Sequence, residues 1–200
     1  MKKIVLGIAG NIGSGKSTAA NFFKDLGAYY IDADKIVDEL YQPGQDGQKK
    51  IQCFFGDEYI LKSGHLNRKK LGKIVFDDPK KLKILNTLIH PLVTAHVQKL
   101  IDKADNNFIV LEATYFEKKH LHQFISALLW VDCDKKTAYQ NVKGLRPIEK
   151  DLFEKIWNIQ VKPEHIDFSI KNNGDLKDLK KQVKSFYDEN IRPRLGFFLN

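Results

Sequence analysis

Eight residues near the start of the chain, Gly10-Asn11-Ile12-Gly13-Ser14-Gly15-Lys16-Ser17, fit the pattern G-x-x-x-x-G-K-[ST] of a phosphate-binding loop. The residue types suit a polyphosphate, which needs many hydrogen-bond donors close to its path. Gly10, Gly13 and Gly15 carry no Cβ, so the loop can curl and turn successive N–H groups inward. A helix starting at Lys16 would add a favourable dipole for an anion. Lys16 would reach the β- and γ-phosphates as a mobile point charge, and the Ser17 hydroxyl would ligate Mg2+. Thr18 is expected to hydrogen-bond the α-phosphate. The alternative is a glycine-rich turn that only resembles the motif.

A second constellation is Asp32-Ala33-Asp34, which follows the short apolar run Ala28 to Ile31. Two carboxylates at alternate positions of a strand end point the same way. One can then face both the γ-phosphate and an acceptor hydroxyl, taking its proton or holding Mg2+ through water. The other can cap a helix over Lys35 to Tyr41. Asp34 is the preferred base and Asp32 the alternative. A third acid, Glu112, ends the run Phe108-Ile109-Val110-Leu111 and resembles the acid of a Walker B strand, which touches Mg2+ through water. It can equally be an ordinary strand end. The six histidines show no metal-ligand spacing, and no serine–histidine–acid order stands out.

These residues need elements to hold them. Lys3 to Ala9 reads as a buried strand and Lys16 to Leu26 as a helix with Gly27 as its cap. Further strands are expected at Ala28–Ile31, Phe108–Glu112, Leu128–Asp132 and Asp167–Ile170. Between the second and third lies a mostly helical block: Gln48 to Phe55, Arg68 to Phe76 capped by Asn67, and Lys80 to Ala104. Pro91 is expected to kink or break the last of these. Lys135 to Lys143 and Ile148 to Gln160 read as helices, the second with Leu152, Ile156 and Ile159 inward. Asp175 to Asn190 reads as a final helix with Leu176, Leu179, Val183 and Phe186 on one face.

Composition narrows the choice of function. Two hundred residues with 42% hydrophobic content suit one α/β domain with an insertion. No apolar run reaches membrane-spanning length. The N-terminal apolar run leads into the glycine loop, where leader cleavage would destroy the motif, so no leader is expected. Cys53 and Cys133 are too few for a disulfide framework, and a cytoplasmic setting with both thiols buried is expected. The net charge of +8 sits mostly in helical stretches where lysine alternates with acids and apolar residues. It reads as a solvated face that also attracts phosphorylated ligands. No aromatic-basic platform for stacking bases is visible, so nucleic acid is not an expected partner.

In order and spacing, the chain resembles the dephospho-coenzyme A kinase family over nearly its whole length. The residues that carry the resemblance are Gly10 to Thr18, Ile31-Asp32-Ala33-Asp34, Pro43-Gly44, Phe55-Gly56, Gly64-His65-Leu66-Asn67-Arg68, Phe76, His90-Pro91, Phe116-Glu117, Gln160 and Asn172-Asn173-Gly174. The resemblance implies transfer of the γ-phosphate of ATP to the ribose 3′-hydroxyl of dephospho-coenzyme A. It also implies a three-layer α/β/α P-loop kinase fold with a five-stranded parallel sheet, a helical acceptor-binding insertion and a lid. The core is expected at residues 1–47, 105–134 and 161–200, the insertion at about 48–104 and the lid at about 135–160. By the same resemblance Asp34 matches the general base, and Arg68, His90 and Glu117 match the acceptor side. Asn172 to Gly174 matches the turn beside adenine.

The chain departs from the family pattern in three places. Ala9 and Asn11 stand where a threonine and a second glycine are usual. Ala113-Thr114-Tyr115 replaces Pro-Leu-Leu. The positions of two lid arginines hold Asn141 and Leu145, with Arg146 one place along. A lid arginine that neutralises the transferring phosphoryl group can be worth about a thousandfold in rate or more. Arg146 is the expected substitute, ahead of Lys143, which lacks a planar fork. Two other readings stay open: a related small-molecule P-loop kinase with a different acceptor, and a nucleotide-binding protein with weakened catalysis. A monomer is expected.

Overall fold

The fold is taken from a computed structural model, which describes residues 3–114, 116, 120–145 and 147–196. Five strands form one parallel sheet: β1 (Ile4–Ala9), β2 (Tyr29–Asp32), β3 (Phe108–Glu112), β4 (Ala127–Asp132) and β5 (Phe168–Lys171). Their order is β2-β3-β1-β4-β5. Every residue of β1 and β3 is buried. This is why their sequences are continuously apolar rather than alternating. The central β1 pairs with β3 through Ile4↔Phe108 to Ile8↔Glu112 and with β4 through Leu6↔Ala127 to Ala9↔Trp130. The chain order reverses across β1, so the segment leaving its carboxyl end enters the crevice where open α/β sheets bind ligands. The class is the expected α/β/α arrangement, with helices on both sides of the sheet.

The chain divides into two compact units. The first holds Met1–Asp32 and Ile101–Asn200, and contains the whole sheet. Helix α1 (Lys16–Asp25) buries Ala19, Ala20 and Phe23. It shares one sheet face with a later helix that contributes Leu179, Val183 and Phe186, above Ile4, Leu6, Ile8, Val110 and Leu129. Phe23 lies edge-on to both Phe108 and Phe186, with ring centroids 6.0 and 5.9 Å away. Gly27, at φ 95°, closes α1: its N–H donates to the Lys24 carbonyl, and the Ala28 N–H to that of Phe23. That pair of bonds is a Schellman motif, which a residue without Cβ adopts at little cost.

The second unit, Ala33–Leu100, is helical. It comprises α2 (Ala33–Leu40), α3 (Asp46–Phe55), α4 (Arg68–Asp77) and most of α5 (Pro79–Lys103). Asn67 caps α4 by accepting from the Lys70 N–H at 3.0 Å. Buried Gln48 ties the loops together, accepting from Gly44 N and donating to Gly64 O.

Four expectations need correction. Helix α5 continues through Pro91, so the proline does not break it. Buried Leu85, Ile89, Val93 and Val97 recur every fourth residue across it. One uninterrupted apolar stripe thus outweighs the single backbone bond a proline removes. Two helices stand where two were expected, α6 (Lys135–Leu145) and α7 (Lys150–Ile159), but α7 turns Phe153 inward, while Leu152 and Ile159, expected inward, are exposed. Two apolar stripes one residue apart were available, and the larger aromatic surface took the core beside Ile12, Cys133, Ala138 and Val142. The last helix stops at Phe186: α8 (Leu176–Phe186) passes through a π-helical turn, Tyr187–Ile191, into α9 (Arg192–Gly196). The five-residue step brings Ile191 into the core beside Phe186. Leu176, expected inward, is exposed. Cys53, finally, is exposed and not buried.

Candidate active site

The glycine loop is built by close approach of other backbone and side-chain groups. Gly13 and Gly15 have φ of 75° and 89°, in the left-handed region. A Cβ on Gly13 would meet the Ala138 carbonyl oxygen at 2.2 Å, and one on Gly15 would meet Asn172 Nδ2 at 2.3 Å. Three amide side chains hold three consecutive residues of the loop. Asn141 Nδ2 donates to the Gly13 carbonyl at 2.9 Å, and Asn172 Nδ2 to the Ser14 carbonyl at 2.8 Å. Gln160 Oε1 accepts from the Ile12 N–H at 2.5 Å. With those two carbonyls held by Asn141 and Asn172, the N–H groups of Lys16, Ser17 and Thr18 begin α1. First-turn amides have no acceptor within their own helix, which makes them ready anion donors. Two buried oxygens of the loop, Asn11 Oδ1 and Ser14 Oγ, lack a hydrogen-bond partner among the described residues.

Beside the loop lies a cluster of oxygen donors. Ser17 Oγ donates to Glu112 Oε1 at 2.6 Å, and the Tyr30 hydroxyl donates to Glu112 Oε2. The Tyr30 hydroxyl also lies 3.4 Å from Asp32 Oδ2. Sheet register explains the meeting: Asp32 pairs with Glu112 and Tyr30 with Val110, so all four share one face. That face is the one α1 covers, which brings Ser17 to Glu112.

Glu112 is 2% exposed. Burial pushes its carboxyl above the ordinary range, and the bonds from Ser17 and Tyr30 and the charge of Lys16 offset part of that. Burial, then Glu112, pushes the Tyr30 phenol up, so it remains a proton donor. The donor set is hard oxygen. It suits Mg2+ brought by a nucleotide, which takes one or two protein oxygens and completes its shell with phosphate and water. Among the described residues no group of three His, Cys, Asp or Glu could hold a metal ion by itself.

The other expected site residues fall as follows. Asp32 ends β2, but Asp34 lies in the first turn of α2 and is exposed. The two acids are therefore not alternate residues of one strand, as expected. The helix begins at Ala33 because Ala33, Ile36 and Leu40 supply a buried face at helical spacing. Arg68 opens α4, donates to Asp38 Oδ1 at 2.5 Å and stacks 5.0 Å above the Tyr41 ring. His90 lies within α5, its carbonyl accepting from Thr94 Oγ1. Asn173 Oδ1 accepts from the Asp134 N–H, and the Asn172 N–H donates to the Asp132 carbonyl. These bonds hold the 172–174 turn at the carboxyl ends of β4 and β5. Arg146, Tyr115 and Glu117 lie outside the described residues.

Sequence reading missed Tyr30 as a partner of the site. Its place two residues before Asp32 was a usable signal, since it puts both on one face. It also missed that Asn141 and Gln160 grip the loop. Nothing local marks contacts spanning 128 and 148 residues of chain.

A sequence model of the CoaE family, dephospho-CoA kinase, matches residues 4–178. A dephospho-CoA kinase of Aquifex aeolicus is 32% identical over 197 residues, spanning 96% of this chain and 99% of that one. The crystal structure of a Thermus thermophilus protein superposes with a TM-score of 0.80 at 24% identity, covering 95% of this chain and 99% of its own. A dephospho-CoA kinase from Campylobacter jejuni superposes at 0.63 with 23% identity, over 95% and 98%. With the loop, its context and a match across most of its length, this chain belongs to the dephospho-CoA kinase family.

Proposed function

We propose that the chain transfers the γ-phosphate of ATP to the ribose 3′-hydroxyl of dephospho-coenzyme A, giving coenzyme A and ADP. The observation that most supports this is the curled glycine loop held from outside by Asn141, Gln160 and Asn172, within a chain of this family. Such a loop binds the phosphates through backbone donors and Lys16, while the 172–174 turn lies against adenine. Ser17 would hold Mg2+ directly and Glu112 through water, and the ion would neutralise charge on the β- and γ-oxygens. Asp34 receives the acceptor proton, with Asp32 as the other candidate. Arg68, His90 and Glu117 bind the acceptor, and Arg146 covers the charge that develops on the transferring group. Little covalent work falls to the protein, so positioning and charge neutralisation carry the rate. The partners are small molecules. Among the described residues no helix is long and apolar enough to cross a membrane, and a cytoplasmic monomer is the proposed form.

The test is a coupled assay with ATP, Mg2+ and dephospho-coenzyme A. Turnover is expected in the native chain and loss of it in Lys16→Ala and Asp34→Asn. Normal turnover in Lys16→Ala would end this reading.

A further inference from the structure

We infer that Tyr30 is a positioning residue for the metal: its phenol orients Glu112 so that Ser17 presents a lone pair to the Mg2+ of bound ATP. The inference rests on the reading that Ser17 holds that ion. A serine hydroxyl has one proton and two lone pairs. To ligate a cation it must send the proton elsewhere, and Glu112 Oε1, 2.6 Å away, accepts it. A carboxyl group turns easily about its last bond, because that torsion has no deep staggered wells. Tyr30 removes this freedom by donating to the other oxygen, Oε2. Three elements then contribute one hydroxyl or carboxylate each: β2 the phenol, β3 the carboxylate and α1 the serine. The chain of bonds runs in one direction, from Tyr30 into Glu112 and from Ser17 into Glu112, so Glu112 acts only as acceptor. A phenylalanine at position 30 would keep the ring packing of β2 and delete only the donor.

The effect should fall on the metal and not on nucleotide or acceptor. Mn2+ binding in the presence of adenylyl imidodiphosphate, followed by electron paramagnetic resonance on the full chain, reads it without turnover. Tyr30→Phe is expected to weaken Mn2+ binding by about tenfold, as loss of an outer-shell partner commonly does. Nucleotide affinity in EDTA and KM for dephospho-coenzyme A should stay within about twofold of the native values. Glu112→Gln should also weaken Mn2+ binding. The double variant should lose little beyond Glu112→Gln alone, since the strong bond of Tyr30 goes to that carboxylate and its contact with Asp32, at 3.4 Å, is the weaker one. Native Mn2+ affinity in Tyr30→Phe, additive losses in the double variant, or an equal loss of nucleotide affinity in EDTA would each overturn the inference. Should Tyr30→Phe fail to fold, the comparison passes to Tyr30→His, which keeps an N–H donor, and Tyr30→Leu, which keeps none. Equal metal affinity in those two would overturn it as well. Failure of the underlying reading looks different: Ser17→Ala would then bind Mn2+ as the native chain does.

Discussion

Ser17 Oγ lies 2.6 Å from Glu112 Oε1, joining the first turn of the helix after the glycine loop to the end of a neighbouring strand. The bond crosses 95 residues of chain and fixes the hydroxyl that the motif assigns to the metal. Ser17→Ala takes the donor from an oxygen of the buried Glu112 carboxylate, so it should lower stability by about 1–3 kcal/mol while the chain still folds. Activity at saturating Mg2+ should fall by about a hundredfold or more. A melting curve and a Mg2+ titration of turnover check both halves; unchanged Mg2+ dependence refutes the assignment.

Glu112 is a buried carboxylate whose folded pKa lies above its ordinary value near 4.5. The folded state thus binds more protons than the unfolded state as pH rises through that window. The stability that this group contributes is complete below the unfolded pKa and is lost as pH climbs through the folded one. Glu112→Gln removes the charge and should raise the melting temperature at pH 7.5 while lowering activity, a trade of function against stability. Melting curves from pH 4 to 8 should show a smaller fall in the variant than in the native chain. Parallel curves would contradict this.

The glycines should separate into two groups on substitution by alanine. Gly27 and Gly44 have positive φ and open space around the missing Cβ, so each change should cost only about 1–2 kcal/mol of backbone strain. At Gly13 and Gly15 the new carbon also strikes the Ala138 carbonyl or Asn172. Those two variants should lose ATP binding by isothermal titration calorimetry, whereas Gly27→Ala and Gly44→Ala retain it. Native ATP affinity in Gly13→Ala is the contrary result.

Removing the outer hold on the loop should act on ATP before it acts on the acceptor. Asn141→Ala and Gln160→Ala each delete one hydrogen bond, worth about 1 kcal/mol. An ATP KM several-fold higher, with the KM for dephospho-coenzyme A unchanged, is expected from steady-state kinetics. Equal rises in both constants would mean a general loosening instead.

Phe153 and Leu152 offer a direct check on how α7 packs. Phe153 is 1% exposed and packs on Tyr139 and Trp157, with centroids 5.1 and 5.7 Å away, whereas Leu152 is 42% exposed. Phe153→Ala should destabilise by about 3–5 kcal/mol and Leu152→Ala by less than about 1 kcal/mol in urea unfolding. The reverse order would place the helix the other way round.

The two thiols should react at very different rates. Burial, with Asp134 and Asp132 nearby, pushes the Cys133 thiol up to about 11, whereas Cys53 is exposed. Near pH 8 only about one Cys133 in a thousand is thiolate, the reactive form. Titration with a thiol reagent should show one fast and one slow group in the folded chain, and both fast in urea. Two fast groups in the folded chain would refute the buried, protonated state of Cys133.

The strands, the glycine loop and the helix after it were legible in the sequence because each is specified by neighbouring residues. A continuous apolar run makes a strand that is buried on both faces. Glycines make the curl, and the lysine and serine declare the ligand. Sequence could not settle Glu112, Phe153 or Pro91, because each depends on distant groups. Glu112 became part of the site when sheet register set it beside Asp32 and Tyr30 and α1 brought Ser17 over it. Phe153 won the inward place over Leu152 only once Ile12, Ala138 and Val142 were there to receive it. Pro91 was carried by a stripe that runs on both sides of it. Local chemistry thus marked the loop as one suited to phosphate. Which oxygens and amides surround that loop was decided by contacts between strands and helices far apart in sequence, whose free energies exist only in the assembled fold.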